Sequence, residues 1–192
     1  MVCSFFIPKM KGVRKIATTG IWKIEKRLDN VIDYTTNIEK TINSDYGKDS
    51  YYDLHNVIDY VEADYKTEKQ FYVSGVNCNP KTALEEMTIT KEQYGKTGGI
   101  LGFHAFQSFA EGEVTPEQCH AIGVRLAEEM WGDRFEVVVS THLNTNHYHN
   151  HFVINSVSFK DGKRYYDKRE TYAELRRLSD SLCEEYGLSV LK

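Results

Sequence analysis

Four of the seven histidines in the chain fall within ten residues, which composition alone does not explain: His142, His147, His149 and His151. The stretch opens with β-branched apolar residues, passes through polar residues and becomes apolar again after the last histidine. This pattern predicts two strands joined by a loop. The first histidine then ends one strand, and the others begin the next.

Imidazoles at alternate positions of a strand lie on one face of the sheet. His149 and His151 share such a face, His147 joins them if the strand already starts there, and His142 can reach it from the neighbouring strand. Three imidazoles on a rigid sheet predict a divalent-metal site with one coordination position left for substrate or water. We predict His142, His149 and His151 as the ligands and His147 as the spare. The competing interpretation is a solvated hairpin rim that binds no metal.

The rest of the chain predicts the elements that must hold these histidines. An N-cap at Thr115, with Pro116 in the first position and Gln118 as partner, marks a helix start. Further strands are predicted at 2–7, 70–76 and 100–109, and helices at 22–35, 81–94, 115–131 and 170–185. Together they predict an α+β fold with a mainly antiparallel sheet of about five strands and helices mainly on one face.

Length and composition favour a single soluble domain over residues 1–192. No apolar run approaches the length of a membrane span, and the N-terminus lacks a signal-peptide pattern. We therefore expect a cytoplasmic protein without membrane insertion. The four cysteines are isolated and indicate neither a zinc knuckle nor a disulfide framework. The net charge of −4 argues against binding that relies on a general attraction to duplex DNA.

Three motifs, in this order, resemble those of conjugative relaxases, the mobilization nucleases of the HUH endonuclease superfamily found on Gram-positive mobile elements such as plasmids and transposons. Residues 30–41, with the sequence NVIDYTTNIEKT, resemble the tyrosine motif. The middle motif is matched by HAFQSF at 104–109 with GEVTPE at 112–117. The histidine motif is matched by HLN at 142–144 and HNH at 149–151. The resemblance implies an HUH relaxase-like fold over nearly the whole chain.

The resemblance also implies a reaction. A tyrosine attacks a phosphodiester of single-stranded DNA at the transfer origin, which leaves the 5′ end on the protein and a free 3′ hydroxyl. Tyr34 matches this nucleophile, the three predicted ligands match the metal-binding histidines, and Ser108 matches a serine that positions DNA on the 3′ side. On spacing alone, Tyr60 in a partial echo of the tyrosine motif is nearly as good a nucleophile. Asn144 stands where the family often has an aspartate behind the first histidine, which predicts weaker support of that ring.

Further candidates surround the predicted site. His147 is free to act as a proton shuttle near Tyr34, and His104 is expected to be a core residue or to lie behind a metal ligand. A basic segment after the second histidine strand predicts either contacts with DNA phosphates or a solvated turn: Lys160, Lys163 and Arg164.

The metal and the partners follow from different arguments. Imidazole ligands favour manganese, zinc, cobalt or nickel, whereas the resemblance implies Mg²⁺ or Mn²⁺, so we expect Mn²⁺ or Mg²⁺. It also implies single-stranded oriT DNA, relaxosome accessory proteins and a conjugation coupling protein as partners, in a bacterial cell. Family members usually continue past such a domain, so the chain is expected to form the relaxase part of a longer protein.

Two alternative functions compete with the nickase. One is a metal-dependent phosphodiester hydrolase that activates water instead of tyrosine. The other is a non-catalytic DNA-binding or replication accessory module, in which His147 would close a structural metal site.

Overall fold

The computed structural model describes residues 17–41 and 72–190. The strand predicted at 2–7 and the alternative nucleophile Tyr60 lie outside these ranges, as does the beginning of the strand predicted at 70–76. Five strands and five helices are described, in chain order: β1 (Thr18–Ile24), α1 (Leu28–Thr35), α2 (Ile38–Thr41), β2 (Val73–Val76), α3 (Ala83–Gln93), β3 (Gly102–Ser108), α4 (Pro116–Trp131), β4 (Val137–His142), β5 (His149–Asn155) and α5 (Arg169–Glu185).

The five strands form one sheet in the order β1-β3-β5-β4-β2, and every neighbouring pair is antiparallel. The predicted α+β fold with a five-stranded antiparallel sheet is confirmed. β5 lies in the centre, and every residue of β4 and β5 is buried. The two strands that carry the histidine motif are therefore also the most enclosed part of the sheet. No helix of the described ranges is long and apolar enough to cross a membrane.

Helices cover both faces of the sheet, which differs from the predicted one-sided packing. On one face, α4 and α5 pack against side chains such as Val137 and Phe152. On the other face, α1 and α3 pack against Val138 and Val153. Because successive residues of a strand point to opposite faces, an unbroken apolar run such as that of β4 must be covered on both.

The helix predicted at 22–35 is wrong in its first part. Trp22 and Ile24 belong to β1 and pair with β3, and the helix begins only at Leu28. Arg27 separates the two elements in a left-handed conformation, with φ of 55°. Ile24 and Leu28 enter the same core cluster, so a strand end followed by a helix produced an apolar spacing that imitates one continuous helix.

The helix predicted at 115–131 is confirmed as α4 together with its start signal. The hydroxyl of Thr115 accepts a hydrogen bond from the backbone N–H of Gln118 at 3.2 Å. The side chain of Gln118 accepts one from the backbone N–H of Thr115 at 3.1 Å. Pro116 occupies the first turn, where no intrahelical donor is lost. This helix carries much of the core on one face of the histidine strands.

Candidate metal centre and nucleophile

The three predicted metal ligands meet at one end of the central strands. His142 is the last residue of β4 and pairs directly with His149, the first residue of β5. His151 follows two residues later on the same face. One ring nitrogen from each lies within 4.8 Å of the others, and all three side chains are buried. The structure therefore brings together the set that the strand pattern predicted.

Each ring has one nitrogen occupied by a hydrogen bond and the other available. Nε2 of His142 donates to the carbonyl oxygen of Thr35 at 2.9 Å. Nδ1 of His149 donates to the carbonyl oxygen of His147 at 2.9 Å. Such bonds fix the tautomer and the orientation of a metal-binding imidazole.

The ring of His151 gives the strongest indication of a metal site. Nδ1 of His151 lies 2.9 Å from Nε2 of His104, and Nε2 of His151 is buried without a hydrogen-bond partner. An unsatisfied buried nitrogen is costly and calls for a partner. A divalent cation bound by Nδ1 of His142 and by Nε2 of His149 and His151 would supply it. The residues present thus fit the metal that the histidine motif implies.

The histidines are held in the neutral form that a metal requires. Burial lowers the pKa of His142 to about 4 and that of His151 well below its usual value. Burial also lowers the pKa of His149, against the opposing effect of its bond to the His147 carbonyl. His104 is lowered to a pKa of about 4 for the same reason. At neutral pH these imidazoles offer lone pairs without first losing a proton.

Tyr34 lies beside the triad. It occupies the last turn of α1, and its ring meets those of His142 and His151 edge to face, with centroids 5.7 and 6.0 Å apart. The residue is 38% exposed, so the contact with the triad does not close it off from solvent. The phenol of Tyr34 and the candidate metal site are therefore adjacent on a surface that a substrate can reach.

Lys40 completes this side of the site, although the sequence analysis gave it no role. Its Nζ lies 3.4 Å from the centroid of the Tyr34 ring. Its carbonyl oxygen accepts a hydrogen bond at 2.7 Å from the backbone N–H of Leu143, the residue after His142. The available signal was its position within the 30–41 motif, six residues after Tyr34.

The support behind the ligands differs in part from the prediction. His104 is 1% exposed and lies directly behind His151, as expected of a residue that holds a ligand. Asn144, by contrast, is exposed in the loop after β4. The backbone carbonyl of Thr35 supports His142 instead, and no side-chain pattern could have identified it.

Two further candidates lie at the edge of the triad. Ser108 ends β3 and pairs directly with His149, so it lies beside the site. His147 is exposed and precedes β5, which starts only at His149. The condition for His147 to share the strand face is therefore not met. Its Nδ1 lies 3.3 Å from the carbonyl oxygen of Phe109.

The basic segment after β5 is not brought to the triad. β5 begins at His149 and ends at Asn155, so this segment leaves the sheet about 20 Å from the triad end. Lys160 and Lys163 form ion pairs with nearby aspartates. The guanidinium of Arg164 donates to three backbone carbonyl groups. If these side chains contact DNA, they would contact nucleotides of the DNA strand that lie away from the triad.

Asn150 holds β5 in place from the face of the sheet opposite the triad. Its side chain points to the face opposite the triad, where its oxygen accepts from the hydroxyl of Thr141 at 2.6 Å. Its amide nitrogen donates to the carbonyl of Cys119 at 2.8 Å and to the side chain of Gln107 at 3.1 Å. A Cβ on Gly123 of α4 would come within 2.5 Å of this amide. Asn150 thus ties β5 to β3, β4 and α4 between the two ligands.

Comparisons with known proteins find relatives over most of the chain. A family model described as relaxase, MobA/VirD2-like, nuclease domain matches residues 37–188. The chain is 43% identical over 117 residues to "Protein rlx" of Staphylococcus aureus, covering 61% of this chain and 37% of that protein. It is 28% identical to the group II intron-interrupted relaxase LtrB of Lactococcus lactis, over 87% of this chain and 36% of the relative.

A solved structure, described as the molecular basis of vancomycin resistance transfer in Staphylococcus aureus, has the same fold. It matches with a TM-score of 0.56 at 12% identity and covers 91% of this chain and 96% of its own. The chain thus spans a little over a third of the curated relatives, and almost the whole of this solved chain.

Proposed function

The chain belongs to the MobA/VirD2-like relaxase family, and from this premise we propose that it nicks one strand of DNA at a transfer origin with Tyr34 as nucleophile. The observation that carries the proposal is the edge-to-face contact of Tyr34 with two rings of the histidine triad. The triad would hold the cation beside the phosphate, and the hydroxyl of Tyr34 would be within reach of that phosphate. The chain spans just over a third of the length of its curated relatives. Any activity of a longer protein that contains this chain is therefore also a proposal.

The proposed reaction is a transesterification. The hydroxyl oxygen of Tyr34 forms a bond to phosphorus, and the bond from phosphorus to the 3′ oxygen breaks. The tyrosine proton passes to a base, for which exposed His147 is our candidate, and the leaving 3′ oxygen takes up a proton. The phosphotyrosyl bond retains the energy of the original ester, so the 3′ hydroxyl can attack it later and reseal the strand.

The triad would hold Mn²⁺ or Mg²⁺. When bound, the cation supplies Lewis-acid stabilisation to the phosphoryl oxygens. The chain contributes orientation: His142 is fixed through Thr35 and His149 through the carbonyl of His147. With its Nε2 directed to the metal, His151 donates from Nδ1 to His104. Neutral, preoriented rings reduce the reorganisation needed at the moment of reaction.

The proposed substrate is single-stranded oriT DNA. Ser108 pairs with His149 at the triad and would contact the DNA strand on the 3′ side of the nick. Lys160, Lys163 and Arg164 would meet phosphates about 20 Å further along. Relaxosome accessory proteins and a coupling protein complete the proposed set of partners.

The test is a search for a covalent adduct. The protein is incubated with Mn²⁺ or Mg²⁺ and single-stranded oligonucleotides that tile the DNA flanking its gene, and adducts that survive SDS are scored. Tyr34→Phe is compared with Tyr60→Phe and with Tyr166→Phe, which alters an exposed tyrosine after β5.

The expected result is a metal-dependent adduct that only Tyr34→Phe abolishes. Loss only in Tyr60→Phe would move the nucleophile. Cleavage without an adduct would replace the nickase by the hydrolase, and binding without cleavage would favour the accessory module.

A further inference from the structure

We propose that Lys40 is a further residue of the reaction: its ammonium group binds the scissile phosphate and, through the face of the ring, positions Tyr34. The inference rests on the proposed function, since it assumes that a phosphodiester reaches Tyr34. Neither the histidine motif nor the family match assigns a role to this lysine.

The backbone of Lys40 is fixed to the metal side of the site. Its carbonyl accepts from the N–H of Leu143 at 2.7 Å, so α2 is joined to the residue that directly follows the ligand His142. Its own N–H donates to the carbonyl of Asn37 at 3.0 Å. A lysine held at both backbone groups delivers its side chain to a defined place, which lowers the entropy cost of using it.

The side chain lies over the ring of Tyr34. Nζ is 3.4 Å from the ring centroid, a cation–π contact with the face of a ring that also meets the ring of His142 at a steep angle. When a phosphate approaches the hydroxyl of Tyr34, one of its oxygens comes within reach of a cation above the centre of the same ring. Lys40 can therefore orient the nucleophile and meet its target at the same time.

The ammonium group of Lys40 makes no close ion pair in the described part of the chain, although the neighbouring carboxylate of Glu39 favours its charged form. None of the ion pairs found within 17–41 and 72–190 includes it. The side chain is nevertheless half-buried, and removing an ammonium from water is costly unless an anion or a polar group compensates. The ring face compensates in part, and a phosphate would complete the pairing.

Lys40 could instead serve only to pack against Tyr34. A measurement of DNA binding without cleavage distinguishes this packing role from phosphate binding. The Tyr34→Phe background keeps the aromatic ring that Lys40 contacts, and no cleavage is expected in it. Lys40→Met is introduced there, and binding of a fluorescein-labelled oligothymidylate is followed by anisotropy over a range of KCl concentrations with Mn²⁺ present. A lost phosphate contact lowers the slope of log affinity against log salt by about 0.7. The matched control is Lys81→Met, an exposed lysine before α3 at the far end of the sheet, which leaves the slope unchanged.

A second measurement compares two effects of Lys40→Met that should have opposite signs, one on Mn²⁺ affinity and one on the rate of adduct formation. Removing a positive charge beside the triad is expected to tighten Mn²⁺ binding by about two- to fivefold, as calorimetry would show. In otherwise wild-type protein the same Lys40→Met change slows adduct formation by about 100-fold, and Lys40→Arg restores most of the rate. A variant that merely disturbed the fold would weaken both.

An unchanged salt slope, or an unchanged rate of adduct formation, would overturn the proposal. If the wild-type protein forms no adduct with any oligonucleotide, the proposed function fails. The salt slope in the Tyr34→Phe background then decides separately whether Lys40 binds phosphate.

Discussion

The carbonyl oxygen of Thr35 accepts a hydrogen bond from Nε2 of His142 at 2.9 Å. The last carbonyls of a helix have no intrahelical partner, and here one of them orients a predicted metal ligand. Thr35 is also the residue that follows Tyr34. The proposed nucleophile and the proposed metal are therefore coupled through Thr35, and a shift of α1 would displace both.

Tyr34→Phe is expected to abolish adduct formation and to leave metal binding within about twofold of wild type, because the phenyl ring keeps its contacts with His142 and His151. Calorimetry with Mn²⁺ and an SDS gel measure the two effects on one preparation. Tyr34→Ala serves as the contrast, since it also removes the ring. Strong loss of Mn²⁺ affinity in Tyr34→Phe would contradict the proposed division of roles.

His104→Ala is expected to weaken Mn²⁺ binding by about 10- to 100-fold, because Nδ1 of His151 loses the group that fixes its tautomer. His104→Gln, whose amide oxygen can accept the same hydrogen bond, should recover part of the affinity. Titration calorimetry at neutral pH distinguishes the three proteins. Equal affinities for wild type and His104→Ala would mean that this histidine is only a core residue.

The free energy of unfolding of the metal-free protein should fall as the pH is lowered from about 6.5 to 5. Burial holds the pKa values of His104, His120 and His142 at about 4 in the folded protein, below the ordinary value of 6.5. In this window the unfolded chain binds more protons than the folded one, so stability rises with pH. Each such histidine contributes a slope approaching about 1.4 kcal/mol per pH unit.

Urea unfolding in the presence of EDTA, at several pH values above the carboxylate range, checks this dependence. Saturating Mn²⁺ should leave the slope around pH 6 unchanged and extend it toward lower pH, because a bound cation would keep protons off the triad where the metal-free folded protein begins to bind them. A flat profile without metal would show that these histidines are not buried in the neutral state.

Gly123→Ala is expected to destabilise the protein by about 1–3 kcal/mol, because the new methyl group would lie 2.5 Å from the amide of Asn150. Gly98→Ala is the matched control: a methyl group there meets nothing within 4 Å, and its backbone is not left-handed. Urea denaturation of both variants compares the sites. Equal stabilities would indicate that α4 can move away from β5 without cost.

The sequence predicted the histidine strands and α4 correctly because the signals were local. Alternation fixed the shared face of His149 and His151, and a capping box marked the start of the helix. The 22–35 helix failed because the conformation of Arg27 interrupts a spacing that stays apolar on both sides. The contributions of Thr35 and Lys40 depend on contacts between distant segments. A backbone carbonyl carries no side-chain identity, so no pattern of residue types could have pointed to it.

Thr35 and His142 stand 107 residues apart in the chain. During synthesis, α1 leaves the ribosome long before the strands that complete the triad, so a growing chain presents Tyr34 without a metal site beside it. On the proposed mechanism, adduct formation would require that β4 and β5 have joined the sheet and that Thr35 is hydrogen-bonded to His142. On this proposal, a chain that still lacks β4 and β5 would be unable to attach itself to DNA.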